Sequence, residues 1–145
     1  MAILRERPYL NSNFRVAFSD GTGSIASGFC EVIFPDFVVK RPAKTRTPAA
    51  PPSTSVNLIL RRGFQGSLDL YEWFDEERRR AAGSKARRRR DLVVTLIDED
   101  QPGEVLAWRF IRVRPVRLAY SPLQSMASEV LIESIELEFD RVEME

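Results

Sequence analysis

Glu72, Asp75, Glu76 and Glu77 lie within six residues of one another, a grouping that in hydrolytic enzymes supplies a paired general acid and base. Their setting argues against that use. Consecutive acids on a helical stretch are ordinarily a solvated face, and no nucleophile or metal motif accompanies them. The chain contains no histidine, so the commonest general base and metal ligand is missing. Cys30 is the one cysteine. It has no partner for an intramolecular disulfide and no imidazole to activate it, and between apolar neighbours it reads as a small core residue. No enzymatic activity, cofactor or metal is expected. The remaining chemistry is cationic, because Arg87, Arg88, Arg89 and Arg90 form an unbroken run. Such a run neutralises phosphates in salt-dependent nucleic-acid binding, or meets carboxylates on another protein surface. No aromatic residue is interleaved for base stacking and no helix is basic along a face, so the second use is the expected one and no stable, specific nucleic-acid partner is foreseen.

The formal net charge of +1 hides a segregation. Eight cations and no acid lie between Arg78 and Arg90, which leaves 14 Lys and Arg against 21 Asp and Glu elsewhere, a net of −7. Seven of those acids, Glu129, Glu133, Glu136, Glu138, Asp140, Glu143 and Glu145, are gathered at the C-terminal end against Arg141 alone. Opposite patches on one chain favour self-association. The length of 145 residues, with 43% hydrophobic and 30% charged, suits one globular domain over residues 1–145. No apolar run approaches the roughly 18 residues of a membrane helix, and Met1–Arg7 lacks a segment of signal-peptide type. The expectation is a chain made in the cytoplasm with no membrane partner.

The elements that would position these residues are mostly strands. Phe14, Val16 and Phe18 alternate with Arg15 and Ala17, a strand with one buried face. Two strand pieces are expected between Ile25 and Val39, broken by Pro35-Asp36. Residues 42–55 hold Lys44, Arg46 and four prolines, Pro48 among them, but no large apolar residue; this is an extended loop. Val56, Leu58 and Leu60 begin another strand, which ends at Gly63. Ser67 then reads as the N-cap of a helix running to about Ala82, with Leu70, Trp73, Phe74 and Glu77 at helical spacing and acid-first i,i+4 pairs on its outer face. The basic loop 83–90 leads into an apolar, central strand over Asp91–Asp98. Asp98, Glu99 and Asp100 open a hairpin loop, and a long strand returns from Val105 to Leu118 with Pro115 marking an edge or bulge. The last strand, Glu129–Val142, places Ile135, Leu137 and Phe139 on one register and Val130 and Ile132 on the other, which a bulge near Ser134 would reconcile. Six or seven strands, one helix and no βαβ alternation describe a mainly β fold, a small antiparallel barrel or sandwich.

Three blocks are more specific than this pattern. The first is Arg61-Arg62-Gly63 with Ser67-Leu68-Asp69-Leu70 and Trp73-Phe74; the second is Val94-Thr95-Leu96-Ile97-Asp98-Glu99 with Trp108, Phe110 and Pro115; the third is Glu129-Val130-Leu131-Ile132-Glu133 with Ile135-Glu136-Leu137. In order and spacing, together with Phe14-Arg15-Val16 and Gly28-Phe29-Cys30-Glu31-Val32, the chain resembles the tail-tube proteins of contractile phage tails and contractile injection systems. The likeness covers roughly residues 9–142. It implies a small β-barrel with one helix, six copies in a ring, and rings stacked into a hollow inner tube within a sheath, related to the hexamer-forming Hcp proteins of type VI secretion. The expected partners are other copies, the sheath protein, baseplate and tube-initiator proteins, and cargo in the tube, all within an assembled phage tail or injection particle. Two alternatives stand beside this reading: a tube-initiator paralogue at the baseplate, and a small nucleic-acid-binding module using Arg87–Arg90. The candidate assembly residues are Lys44, Arg46, Pro48, Arg87, Arg88, Arg89, Arg90, Asp98, Glu99 and Asp100.

Overall fold

The computed structural model of the chain describes residues 7–18, 28–39, 56–80, 90–100 and 103–145. The Pro-rich loop 42–55, the basic residues 83–89 and the turn after Phe18 lie outside them. Seven strands and one helix follow in the order β1 (Phe14–Phe18), β2 (Phe29–Ile33), β3 (Leu58–Gly63), α1 (Asp69–Arg80), β4 (Arg90–Ile97), β5 (Glu104–Tyr120), β6 (Ile132–Glu138) and β7 (Arg141–Met144). All pairing is antiparallel, in the order β1-β4-β5-β6-β3-β2 with β7 also on β5.

β5 organises this arrangement. Its first half pairs with β4 and β7, and its second half with β6, so two sheets share one bent strand. The bend falls at Arg112, whose φ of 53° is the left-handed conformation. Alternation turns over there. Phe110 is buried before it, whereas Val113 and Pro115 are buried after it. A second irregularity between Pro115 and Arg117 restores the earlier phase, which is the bulge that Pro115 marks in the sequence. β1 and β2 stand at opposite ends of the strand order, so the sheet does not close and the sandwich is the form adopted.

The space between the sheets is filled by Val16 and Phe18, Leu58 and Leu60, Leu92 and Val94, Phe110 and Val113, and Ile135 and Leu137. Helix α1 covers one side by inserting Leu70 and Trp73, with the Trp73 ring edge-on to Phe18 at 5.3 Å between centroids. No helix among the described residues is long and apolar enough to cross a membrane.

Three expectations need correction. Phe37–Val39 is not a second strand: beyond Pro35 no strand pairs with it, and Phe34 and Phe37 instead lay their rings against Trp108 and Phe110. Ser67 caps the helix as its sequence predicts, its Oγ accepting the Asp69 N–H at 3.3 Å, and the first helical carbonyl bond runs from the Glu72 N–H to Leu68. β6 is regular at Ser134, which pairs with both Arg61 and Ala119. Its buried register is Glu133, Ile135 and Leu137 throughout, and the break falls instead at Phe139-Asp140 between β6 and β7. Cys30 is exposed rather than in the core: the register of β2 against β3 shifts between Phe29 and Glu31, and Cys30 Sγ donates to the Arg61 carbonyl at 3.4 Å.

Candidate functional site

The blocks that carry chemistry in the sequence meet at one buried ion cluster. Arg62, at the end of β3, is 5% exposed, and Glu133 on β6 is 1% exposed. They are direct cross-strand partners, and Arg62 Nε donates to Glu133 Oε1 at 2.5 Å. The guanidinium also engages Asp69 in the first turn of α1, with Nη1 donating to Oδ2 at 3.2 Å and Nη2 to Oδ1, and it sits over the Phe29 ring at 5.5 Å. Burial works against the charge of Arg62, but its bonds to Asp69 and Glu133 outweigh this and raise its pKa. Burial likewise pushes the Asp69 carboxyl up; Arg62 and the Leu70 N–H overrule it and hold Asp69 below its ordinary range. Glu133 therefore leaves the surface acidic patch in which its sequence position puts it. Nothing in the sequence paired Arg62 with a residue 71 positions away.

A second charged cluster surrounds the bend of β5. Asp91 Oδ1 accepts the Arg112 N–H at 3.0 Å, Arg112 pairs with Asp140 at 2.6 Å, and Arg114 reaches Glu138 at 2.9 Å and Asp140 at 3.2 Å. The hydrogen bond from Arg114 is the main cause that lowers the Asp140 pKa, with Arg112 adding to it. On α1, Asp75 is buried beneath Arg78 and Arg79, the latter at 3.0 Å, and Glu76 faces Arg80 at 3.7 Å. Asp75 and Glu76 are thus paired with cations of their own helix.

Of the candidate assembly residues, Lys44, Arg46, Pro48, Arg87, Arg88 and Arg89 lie outside the described residues. Arg90 is set apart from the run, since it opens β4 and stacks its guanidinium over Phe18 at 5.3 Å. Asp98, Glu99 and Asp100 form the β4–β5 hairpin turn with their carboxylates gathered together. The turn is fastened by the Asp98 N–H to the Gly103 carbonyl at 3.1 Å and by the Asp100 N–H to Asp98 Oδ1 at 3.0 Å. Asp100 is exposed at its tip, while Asp98 and Glu99 are half-buried.

The structure also presents apolar surface that strand periodicity does not reveal. The connection from Tyr120 to Ile132 is tied down by Ser121 N–H to the Ile132 carbonyl and Phe64 N–H to the Leu131 carbonyl, both 2.9 Å. It nevertheless holds Leu123 at 87% and Met126 at 98% exposure. Along the outer edges of β1 and β2, which have no partner strand among the described residues, runs a groove of about 650 Å³ lined by Phe14, Val32, Phe34, Leu96 and Trp108. Exposed apolar loops and uncovered sheet edges are features that monomers avoid and assemblies use.

Comparison with known proteins gives this surface a context. No curated protein matches the chain. A chain of the extracellular contractile injection system PVC, in its extended sheath-tube complex, is similar at 21% identity over 97% of this chain and 93% of its own, with a TM-score of 0.66. A chain from the baseplate of the anti-feeding prophage is similar at 19% identity over 97% of each chain, with a TM-score of 0.62. Hcp1 from Flavobacterium johnsoniae is similar at 17% identity over 90% of this chain and 93% of its own, with a TM-score of 0.57. These likenesses establish the fold. The family model for the T4-like virus tail tube protein gp19 matches residues 11–143, and on that match the chain belongs to the tail tube protein family.

Proposed function

We propose that the protein is the structural inner-tube subunit of a contractile tail or contractile injection particle, built into six-membered rings that stack around a hollow conduit. The observation that carries this reading is the family match over residues 11–143, which takes in every strand but the last residue of β7 and the helix. The open edges of β1 and β2 and the exposed Leu123 and Met126 support it, since ring closure and stacking would cover both. Sheath and baseplate proteins are the partners proposed, in keeping with the assemblies that hold the similar PVC and anti-feeding prophage chains. Its work is mechanical rather than catalytic. The loop 42–55 with Lys44, Arg46 and Pro48, and the cations Arg87, Arg88 and Arg89, are assigned to contacts between copies, with Asp98, Glu99 and Asp100 as acidic counterparts. The nucleic-acid reading is weakened because Arg90 serves β4 and Phe18. Native mass spectrometry across a range of concentrations tests the proposal: a six-copy species is expected, and monomer alone at every concentration would contradict it.

A further inference from the structure

The inward row of the β3–β6 pair holds Leu58, Leu60 and Arg62 opposite Leu137, Ile135 and Glu133. Without its charges this row would be uniformly apolar, and a sheet with a uniform face tolerates a slip of two residues, since the faces do not exchange. The native charges forbid the slip. Displaced two residues one way, Arg62 would face Ile135 and Glu133 would face Phe64; displaced the other way, Arg62 would face Leu131 and Glu133 would face Leu60. Either register parts Glu133 from Arg62 and leaves its carboxylate buried among apolar neighbours, which costs far more than any single apolar mismatch. Asp69 holds the same guanidinium, so in the native register one cluster joins β3, the start of α1 and β6. We infer that the Arg62–Asp69–Glu133 cluster is a register lock, present to exclude slipped pairings of β3 and β6 rather than to add stability. This inference stands on the cluster's geometry and does not require the tube reading.

The lock accounts for a feature of the sequence that packing alone leaves open. Arg62 near the end of β3 and Asp69 at the helix start are far in the chain from Glu133 in β6, yet all three charges point into one nearly dry site. Replacement of a buried ion cluster by apolar residues of similar volume often leaves stability unchanged or raised. The lock therefore predicts a loss of specificity where stability is kept.

Disulfide trapping reads this directly, in a Cys30→Ser background. The outward-facing pair Arg61→Cys/Ser134→Cys reports the native register, in which these positions are partners; the pair Ile59→Cys/Ser134→Cys reports a two-residue slip. With the cluster intact, only the first pair should cross-link. In the apolar triple variant Arg62→Met/Asp69→Leu/Glu133→Leu, the slip pair should trap on the order of a tenth of the protein, the upper end for a minor conformer. The double variant Arg62→Leu/Glu133→Leu, which keeps the Asp69 helix start, gives a second reading should the triple fail to fold. Native-register trapping alone in a folded apolar variant, with wild-type amide-exchange protection in β3, β6 and α1, overturns the inference.

Discussion

Glu133 shows how a single residue can mislead a reading of sequence and then organise the structure. Its neighbours Glu129, Glu136 and Glu138 are surface acids, and alternation alone assigned it no special place; its burial follows from Arg62, which lies directly across the ladder. Two consequences can be measured. Glu133→Ala leaves Arg62 without a main partner in a site that is nearly dry, and should lower unfolding stability by about 3–5 kcal/mol in urea titrations at pH 7. Loss of less than about 1 kcal/mol would mean that Arg62 finds water or another acid. The second concerns pH. Asp69 has a folded pKa below its unfolded value near 3.8, so its contribution is complete above that value and is lost as the pH falls through the lower, folded one. Acid unfolding curves of the wild type and of Asp69→Asn should therefore differ at neutral pH and converge in strong acid. Parallel curves down to strong acid would exclude this linkage. Arg90 belongs to the same scale: it looked like one of four equivalent arginines, but its place over Phe18 makes Arg90→Gln a change of subunit stability, of about 0.5–1 kcal/mol.

At the scale of elements, periodicity located β1, β3 and the helix, each with an apolar face of uniform phase, and the apolar run of β4, the alternating first half of β5 and the turn residues between them were legible as well. It failed where phase is set from outside the element. The reading of a bulge at Ser134 arose from treating Val130 as buried, whereas Val130 is 69% exposed in the connection before β6. The shift in β5 at Arg112 was invisible because a non-glycine residue gives no sign of a left-handed backbone. That conformation is held by Asp91 and Asp140. Arg112→Val, which adds β-branching where φ is positive, should destabilise the protein by about 1–2 kcal/mol, and Arg112→Gly should be nearly neutral. Equal effects of the two in chemical denaturation would remove backbone strain from the account. The end of β3 offers a steric test. A Cβ on Gly63 would stand 3.1 Å from Val130 Cγ1, so Gly63→Ala should disturb the connection into β6, and adding Val130→Ala should recover most of the loss in a double-mutant cycle. Additive losses would place the difficulty elsewhere.

For the whole molecule, the mainly β class, the single helix and the family were legible because three motif blocks keep their order and spacing. The choice between barrel and sandwich was not, since it depends on whether β1 meets β2, two strands separated by a groove rather than by any sequence signal. Segregated charge is the sequence's argument for self-association; the exposed apolar side chains of Leu123 and Met126 in the β5–β6 connection are visible only in the structure. In the proposed rings, exposed ion pairs between copies would be individually weak, about 0–1 kcal/mol, and six-fold repetition would turn them into avidity. Changing Arg87, Arg88 and Arg89 to Gln should accordingly weaken stacking and make assembly less sensitive to salt while leaving subunit stability unchanged; loss of nucleic-acid binding with normal assembly would reverse that assignment. The central claim, that this chain is a tube subunit, is tested most directly by electron microscopy of the purified protein. The account predicts hollow six-fold rings about 80–100 Å wide, the span of six domains of this size, with short stacks at higher concentration. Fields of single compact particles, with no ring at any concentration, would contradict it.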